Sequence, residues 1–315
     1  RIYDMQNDSR FWKTFRTKSK VNRPAGGYYA NGDLGIMYVI NQPGDTRFSG
    51  VYITNTVVYA ATGKTIPHVF VAYPNGTTTD GALLADSRRF PSLSKFMDGS
   101  RTAGFNDVDG LRDITLARSA ETYLIAAEAK IRLAKAGSGS YSDALPYINA
   151  VRARAQFANG ENRASYYDGG AAASSAPQPT IPPSFFPENS YYESNNIPVT
   201  TAASASLAIT DINTLPAGDE YVISRLGLSA AYDRMLCLLL NERSRELAGE
   251  YLRWEDLSRT KTLIPRARVF NPDASPNIKD HHLLRPIPQT FLDGIQSGGK
   301  ALTAAEKQAM QNPGY

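Results

Sequence analysis

LCLLLNERSRELAGEYLRWEDLSR, residues 236–259, is the stretch on which the fold turns. Wound as a helix, it brings Leu236, Leu240, Ser244, Leu247, Tyr251 and Trp254 within about 40° either side of one line along the axis. That line reads as a core-facing stripe. Glu242, Arg245, Gly249 and Arg253 lie roughly opposite, and Glu246 and Glu250 stand on the flank, each three residues from an arginine, Arg243 and Arg253 respectively. The expected helix therefore carries a paired charge surface on its outer side. Two carboxylates on one face could serve as acid and base. However, a nearby arginine favours the ionised carboxylate and opposes the raised pKa a general acid needs. Structural ion pairing is the better reading.

Outward from this helix, four strings recur in a known order. NERSRELAGEYLRWEDLSRTK (241–261) precedes HHLLRPIPQTFL (281–292), and DITLARSAETYLIAAEAKIRL (113–133) precedes DALPYINAVRARA (143–155). Together they resemble the C-terminal signature of the SusD/RagB family of surface nutrient-binding lipoproteins. NDSRFWKTFRTKS (7–19) matches a further segment of that family loosely, with Ser9 where proline is usual.

The 315 residues, 42% of them hydrophobic, are enough to bury a substantial core and exclude disorder throughout. Net charge is +4, from 34 basic and 30 acidic residues spread along the chain, without a tract of the kind that binds nucleic acid. The nearest, residues 13–23 with Phe11, Trp12 and Phe15, reads as a solvated edge. Cys237, the single cysteine, lies in the leucine run and is expected as a buried thiol. No apolar run approaches the ~18–20 residues that span a bilayer.

Residues 24–110 alternate turn formers with β-branched and aromatic runs, GIMYVI (35–40), VYITNTVVYAA (51–61) and HVFVAY (68–73), which predict short strands in a loop-rich layer. Helix is expected from about Arg112, with Leu116, Ala120, Tyr123, Leu124, Ala127, Ile131 and Ala134 as its apolar stripe and Gly137 as its end. A partner helix follows from Asp143 to about Phe157, with Pro146 in its first turn. Such a hairpin is tetratricopeptide-like or generic on length alone; the family resemblance implies the former. Residues 159–219 hold seven prolines, which exclude a long helix. An apolar helix around 221–252, a short one at 254–262, an extended PIP segment at 286–288 and a weak helix from Thr303 to Gln311 complete the chain. The fold class is thus mainly α, helical hairpins with long irregular loops and a few short strands. The expected organisation is one SusD-like region over 1–315: a loop-rich segment (1–111), the hairpin (112–158), an irregular insertion (159–219) and the C-terminal helices with the PIP segment (220–315). The resemblance implies the C-terminal part of a longer protein, with a further helical half and a lipidated cysteine preceding it.

No cofactor or metal is expected. His281 and His282 are adjacent and His68 is isolated, while NDVDG (106–110) reads as a turn rather than a calcium loop because the closing glutamate is missing. Nucleophile elbows and phosphate-binding glycine loops are absent. What remains is aromatic surface: of 18 tyrosines, Tyr28, Tyr29 and Tyr52 follow glycine-containing turns, and Trp12 accompanies them as a candidate ligand-binding ring. Such rings stack on sugars, serve protein interfaces or simply pack. The resemblance implies a non-catalytic protein of the outer membrane's cell-surface face, which captures oligosaccharide and hands it to a SusC-like TonB-dependent transporter. Peptide capture in the manner of RagB is the alternative; a glycoside hydrolase and a tetratricopeptide scaffold binding only protein are less favoured.

Overall fold

The computed structural model describes residues 2–21, 30, 33–47, 52–53, 58–59, 64–65, 68–73, 90–95, 113, 115–164 and 189–315, with backbone alone at 52–53, 58–59 and 64–65. It is mainly helical. Along the chain run α1 (Arg10–Thr14), strands β1 (Phe15–Arg16), β2 (Lys18–Lys20), β3 (Leu34–Val39), β4 (Tyr52–Ile53), β5 (Val58–Tyr59), β6 (Lys64–Thr65), β7 (His68–Val71) and β8 (Ser92–Leu93), and then the helices. These are α2 (Ser119–Lys135), α3 (Leu145–Ala155), α4 (Tyr191–Asn195), α5 (Ala217–Arg225), α6 (Ala231–Glu246), α7 (Arg253–Arg259), α8 (Leu263–Phe270), α9 (Gln289–Gly294) and α10 (Ala304–Met310), with the two-residue strands β9 (Gln296–Ser297) and β10 (Lys300–Ala301) between the last two.

Helix α6 is the centre. From Met235 to Arg243 every residue is buried, and Leu238, Leu239 and Leu240 have no exposed surface. A helix buried on all sides must be covered on all sides. Leu124, Ala127 and Ile131 of α2, at spacings of three and four, and Ile148 and Val151 of α3 pack in the same core, joined by Val222 and Ile223 of α5 and by Leu257, Leu263 and Ile264 of α7 and α8. Gly137, at φ +84°, closes α2 with the Ser138 N–H donating to Leu133 O and the Gly137 N–H to Ala134 O. Ser140 then caps a 3-10 turn (Tyr141–Ala144) that leads into α3, with Pro146 in its first turn.

The strand layer is small. Its four-stranded sheet has the order β2-β3-β7-β4, with β3 and β7 parallel (Met37 opposite Val69) and β2 and β4 antiparallel to their neighbours. One face buries Leu34, Met37, Val39, Val69 and Val71; on the other, the rings of Tyr38 and Phe70 stack at 5.2 Å. Ile40 and Ala72, just past the strand ends, join an aromatic cluster of Phe11, Trp12, Tyr73, Phe157 and Tyr191 that links sheet to helices.

Several expectations shift. The charged side of residues 236–259 is interior: Glu242 is 0% exposed, and Arg243, Arg245 and Glu246 are buried with it. The pairing differs too. Glu246 meets Arg10, Arg118 and Arg154, Glu250 meets Lys95 and Arg118, and Arg243 meets Asp256 and Glu121. The apolar stripe holds only to Leu247, because α6 stops at Glu246 and the chain turns through Gly249 (φ +79°) and Tyr251 (φ +62°), leaving Tyr251 91% exposed. Similarly, α2 starts at Ser119, so Leu116 precedes it and is 92% exposed. The apolar region around 221–252 is two helices, and α8 was not anticipated.

Candidate functional site

The N-terminal segment builds one wall of a cleft. Asp4 accepts the backbone N–H groups of Gln6 and Asn7 (3.0 and 3.1 Å) and the side-chain amide of Asn7, which fixes a turn immediately after Tyr3. The Tyr3 hydroxyl donates to the Arg245 carbonyl at 3.2 Å, and its ring meets Phe11 edge-on at 5.6 Å. Burial raises the Tyr3 phenol, so it stays a neutral donor. Opposite, Asn41 spends both ends of its amide on Tyr73, donating to its carbonyl (2.9 Å) and accepting its N–H (2.8 Å), so the chain leaving β7 is held to the chain leaving β3. From the helical side α5 contributes Ala217, Gly218 and Tyr221.

Between these walls lies a cavity of about 310 Å³, lined chiefly by Tyr3, Met5, Phe11, Ile40, Tyr73 and Tyr221, with amides from Asn41 and Gln42. A second cavity of about 390 Å³ shares Tyr3, Met5, Gln42, Ala217 and Gly218 with it, and is bordered by Asp4, Asp8, Asp219, Arg152 and Arg245. One chamber is apolar and aromatic; the other is charged.

The charges of the second chamber are locked in place. Arg245 is held by Asp219 (3.1 Å) and Glu242 (2.7 Å), Arg152 by Glu242 (2.8 Å) and the Leu207 carbonyl (2.6 Å), and Arg10 by Asp8 (2.7 Å) and Glu242 (2.6 Å). Burial alone would raise the Glu242 carboxyl, yet Arg10, Arg245 and Arg152 together hold it well below the usual carboxylate range. Glu250 is likewise lowered: Arg118 and Lys95 outweigh the opposing effect of burial. Carboxylates clamped in this way are poor proton donors at neutral pH. The arrangement suits binding through ring faces and fixed dipoles.

Of the four rings singled out in the sequence, Trp12 is a core residue. It is 0% exposed, its Nε1–H donates to the Met5 carbonyl (3.1 Å), and its ring packs edge-on against Phe11 (5.1 Å) and Tyr191 (5.4 Å), so it offers no face to a ligand. Tyr28 and Tyr29 lie outside the described residues, as does the NDVDG turn. Tyr52 opens β4 and pairs with Phe70; its side chain is not among those described. The cleft rings Tyr73 and Tyr221 sit inside or beside an apolar run, where a tyrosine reads as packing, and Tyr3, between Ile2 and Asp4, stands in no turn or motif that singles it out. His281 and His282 turn out to share a 3-10 turn (Asp280–Leu283), with their rings in contact at 4.2 Å. Cys237 is buried as expected, and burial pushes its thiol up.

Compared with known proteins, the sequence matches the family model described as SusD family over residues 4–315. No curated protein matches it.

Proposed function

Because the chain belongs to the SusD family, we propose that it is a non-catalytic binding protein of the outer-membrane surface, which captures oligosaccharide and passes it to a SusC-like TonB-dependent transporter. The family match over residues 4–315 carries this reading. The two-chambered cleft supports it, since its rings can pack against the C–H faces of sugars while Gln42 and the Tyr3 hydroxyl address their oxygens. Among the described residues no helix is long and apolar enough to cross a membrane. Attachment through a lipid outside this chain accords with that. The frame of buried ion pairs is the fixed part, and Tyr28, Tyr29 and Tyr52 are proposed to add contacts.

A peptide ligand is the second reading, favoured by one specific feature: an apolar chamber opening beside a charged one suits a hydrophobic side chain and the polar backbone that carries it. Titration calorimetry against glycan and peptide panels separates the two. Tyr221→Ala is expected to weaken the bound ligand about tenfold or more while leaving the melting temperature within a few degrees. Unchanged affinity in that variant and in a combined Tyr28, Tyr29 and Tyr52 alanine variant would remove the proposed site. Release of reducing sugar from any panel glycan would overturn the non-catalytic reading.

A further inference from the structure

Three arginines, from α6, α7 and α8, lie close to one another, and their charges are only partly matched. Arg243 of α6 donates through Nε to Asp256 (2.5 Å) and through Nη2 to Glu121 (3.3 Å). Arg253, at the start of α7, donates through Nη1 to the Leu240 carbonyl (2.8 Å). Arg266, on α8, donates through Nη1 to Asn241 Oδ1 (3.0 Å) and through Nη2 to Cys237 Sγ (3.1 Å) and O (3.4 Å). Among the described residues, neither Arg253 nor Arg266 has a carboxylate at ion-pair distance.

The nearby acids are already engaged. Asp256 serves both Arg243 and Arg259, and Asp219 serves Arg245; their charges act on Arg253 and Arg266 from beyond ion-pair distance, with Asn241 bridging Asp219 to Arg266. The Cys237 thiol does not supply the missing charge either, because burial pushes it up and keeps it protonated at neutral pH. Consistently, burial and then the neighbouring Arg266 charge push Arg253 down to about 10, still protonated under physiological conditions. Two guanidinium donors are also left over: among the described residues, Arg243 Nη1 and Arg266 Nε are buried without an acceptor, on residues only 3% and 6% exposed. Uncompensated buried charge and orphaned buried donors are each costly.

We propose that a small inorganic anion, chloride in physiological media, binds where α6, α7 and α8 meet, accepting the orphaned N–H of Arg266 in the combined field of Arg243, Arg253 and Arg266. Half-buried Arg253 is the side from which it exchanges with solvent. A water molecule could accept the same N–H but would leave the charge unmatched, so the two occupants differ in their dependence on salt identity.

The test is thermal unfolding at constant ionic strength, with sodium chloride replaced stepwise by sodium gluconate. The expected result is a melting temperature that rises with the logarithm of chloride concentration above the dissociation constant, by about 2 °C at a tenfold excess over it. In Arg266→Met, which keeps the apolar stem and removes the donor, the chloride dependence is expected to vanish. Should that variant not fold, wild-type crystals grown with bromide decide the matter: an anomalous peak within hydrogen-bond distance of Arg266 Nε supports the site. Melting curves identical in chloride and gluconate, or bromide found only on the outer surface, overturn it.

Discussion

Glu242 has three guanidiniums within hydrogen-bond distance, those of Arg10, Arg152 and Arg245, and no exposed surface. Its carboxyl is held below its ordinary value of 4.5, so its contribution to stability is fully present above that value and is lost as pH falls below it towards the depressed folded value. Glu128 and Glu250 are lowered as well and reinforce the same acid limb. Urea unfolding is therefore expected to show stability constant near pH 7 and falling steeply below about pH 4.5. Glu242→Gln should cost about 3–5 kcal/mol at pH 7, because it leaves buried arginines short of a charge, and should flatten part of the acid limb. An acid limb unchanged in the variant would show that the carboxylate is not what the arginines are organised around. The sequence reading found these residues and their ionic character. It put them outside because the partners that cover them, Arg10 and Arg152, lie 232 and 90 residues away.

Helix identity was the most legible feature, and helix ends the least. α3 and α10 fall where periodicity and caps put them, with Thr303 capping α10 through the Glu306 N–H, whereas α2 ends at Gly137 as expected but starts at Ser119 rather than near Arg112. By contrast, α6 and α7 are separated by a bend that needs Tyr251 at φ +62°, a conformation no pattern of apolar residues announces for an aromatic side chain. α7 ends in the same hydrogen-bond pattern as α2, with the Thr262 N–H on Leu257 O and the Lys261 N–H on Ser258 O, but here Lys261 occupies the left-handed position at φ +59°. Lys261→Gly is accordingly expected to stabilise the protein by about 0.5–1 kcal/mol, the relief of the left-handed penalty less the extra chain entropy of glycine. Gly137→Ala should destabilise by a similar amount, for the converse reason. Paired urea titrations check both, and a neutral or negative effect of Lys261→Gly would mean that its side chain makes a compensating contact.

At the scale of the molecule, the first seventeen residues tie the layers together. Ser9 donates through both its backbone N–H (2.8 Å) and its hydroxyl (2.7 Å) to the Ala155 carbonyl at the end of α3, Arg10 reaches Glu242 and Glu246, and Trp12 fills the aromatic cluster shared with the sheet. Removal of residues 1–17 would uncover Glu242 and Glu246 and take one wall from the cleft. Such a chain is expected to unfold at lower urea and over a broader range than the whole protein, as read by circular dichroism. A sharp transition retained in the truncated chain would show that the helices stand alone.

By itself, the sequence determined the helical character of α2, α3, α7, α10 and the apolar region around 221–252, and which family the motifs resemble, because 3.6-residue periodicity and capping residues act over a few neighbouring positions. Only the tertiary structure decided that the charged side of α6 lies inside, that Trp12 is core, and that Tyr3, Tyr73 and Tyr221 share a cleft. Whether a charge can be buried depends on whether a counter-charge arrives from elsewhere in the chain, and the spacing of nearby residues does not encode that.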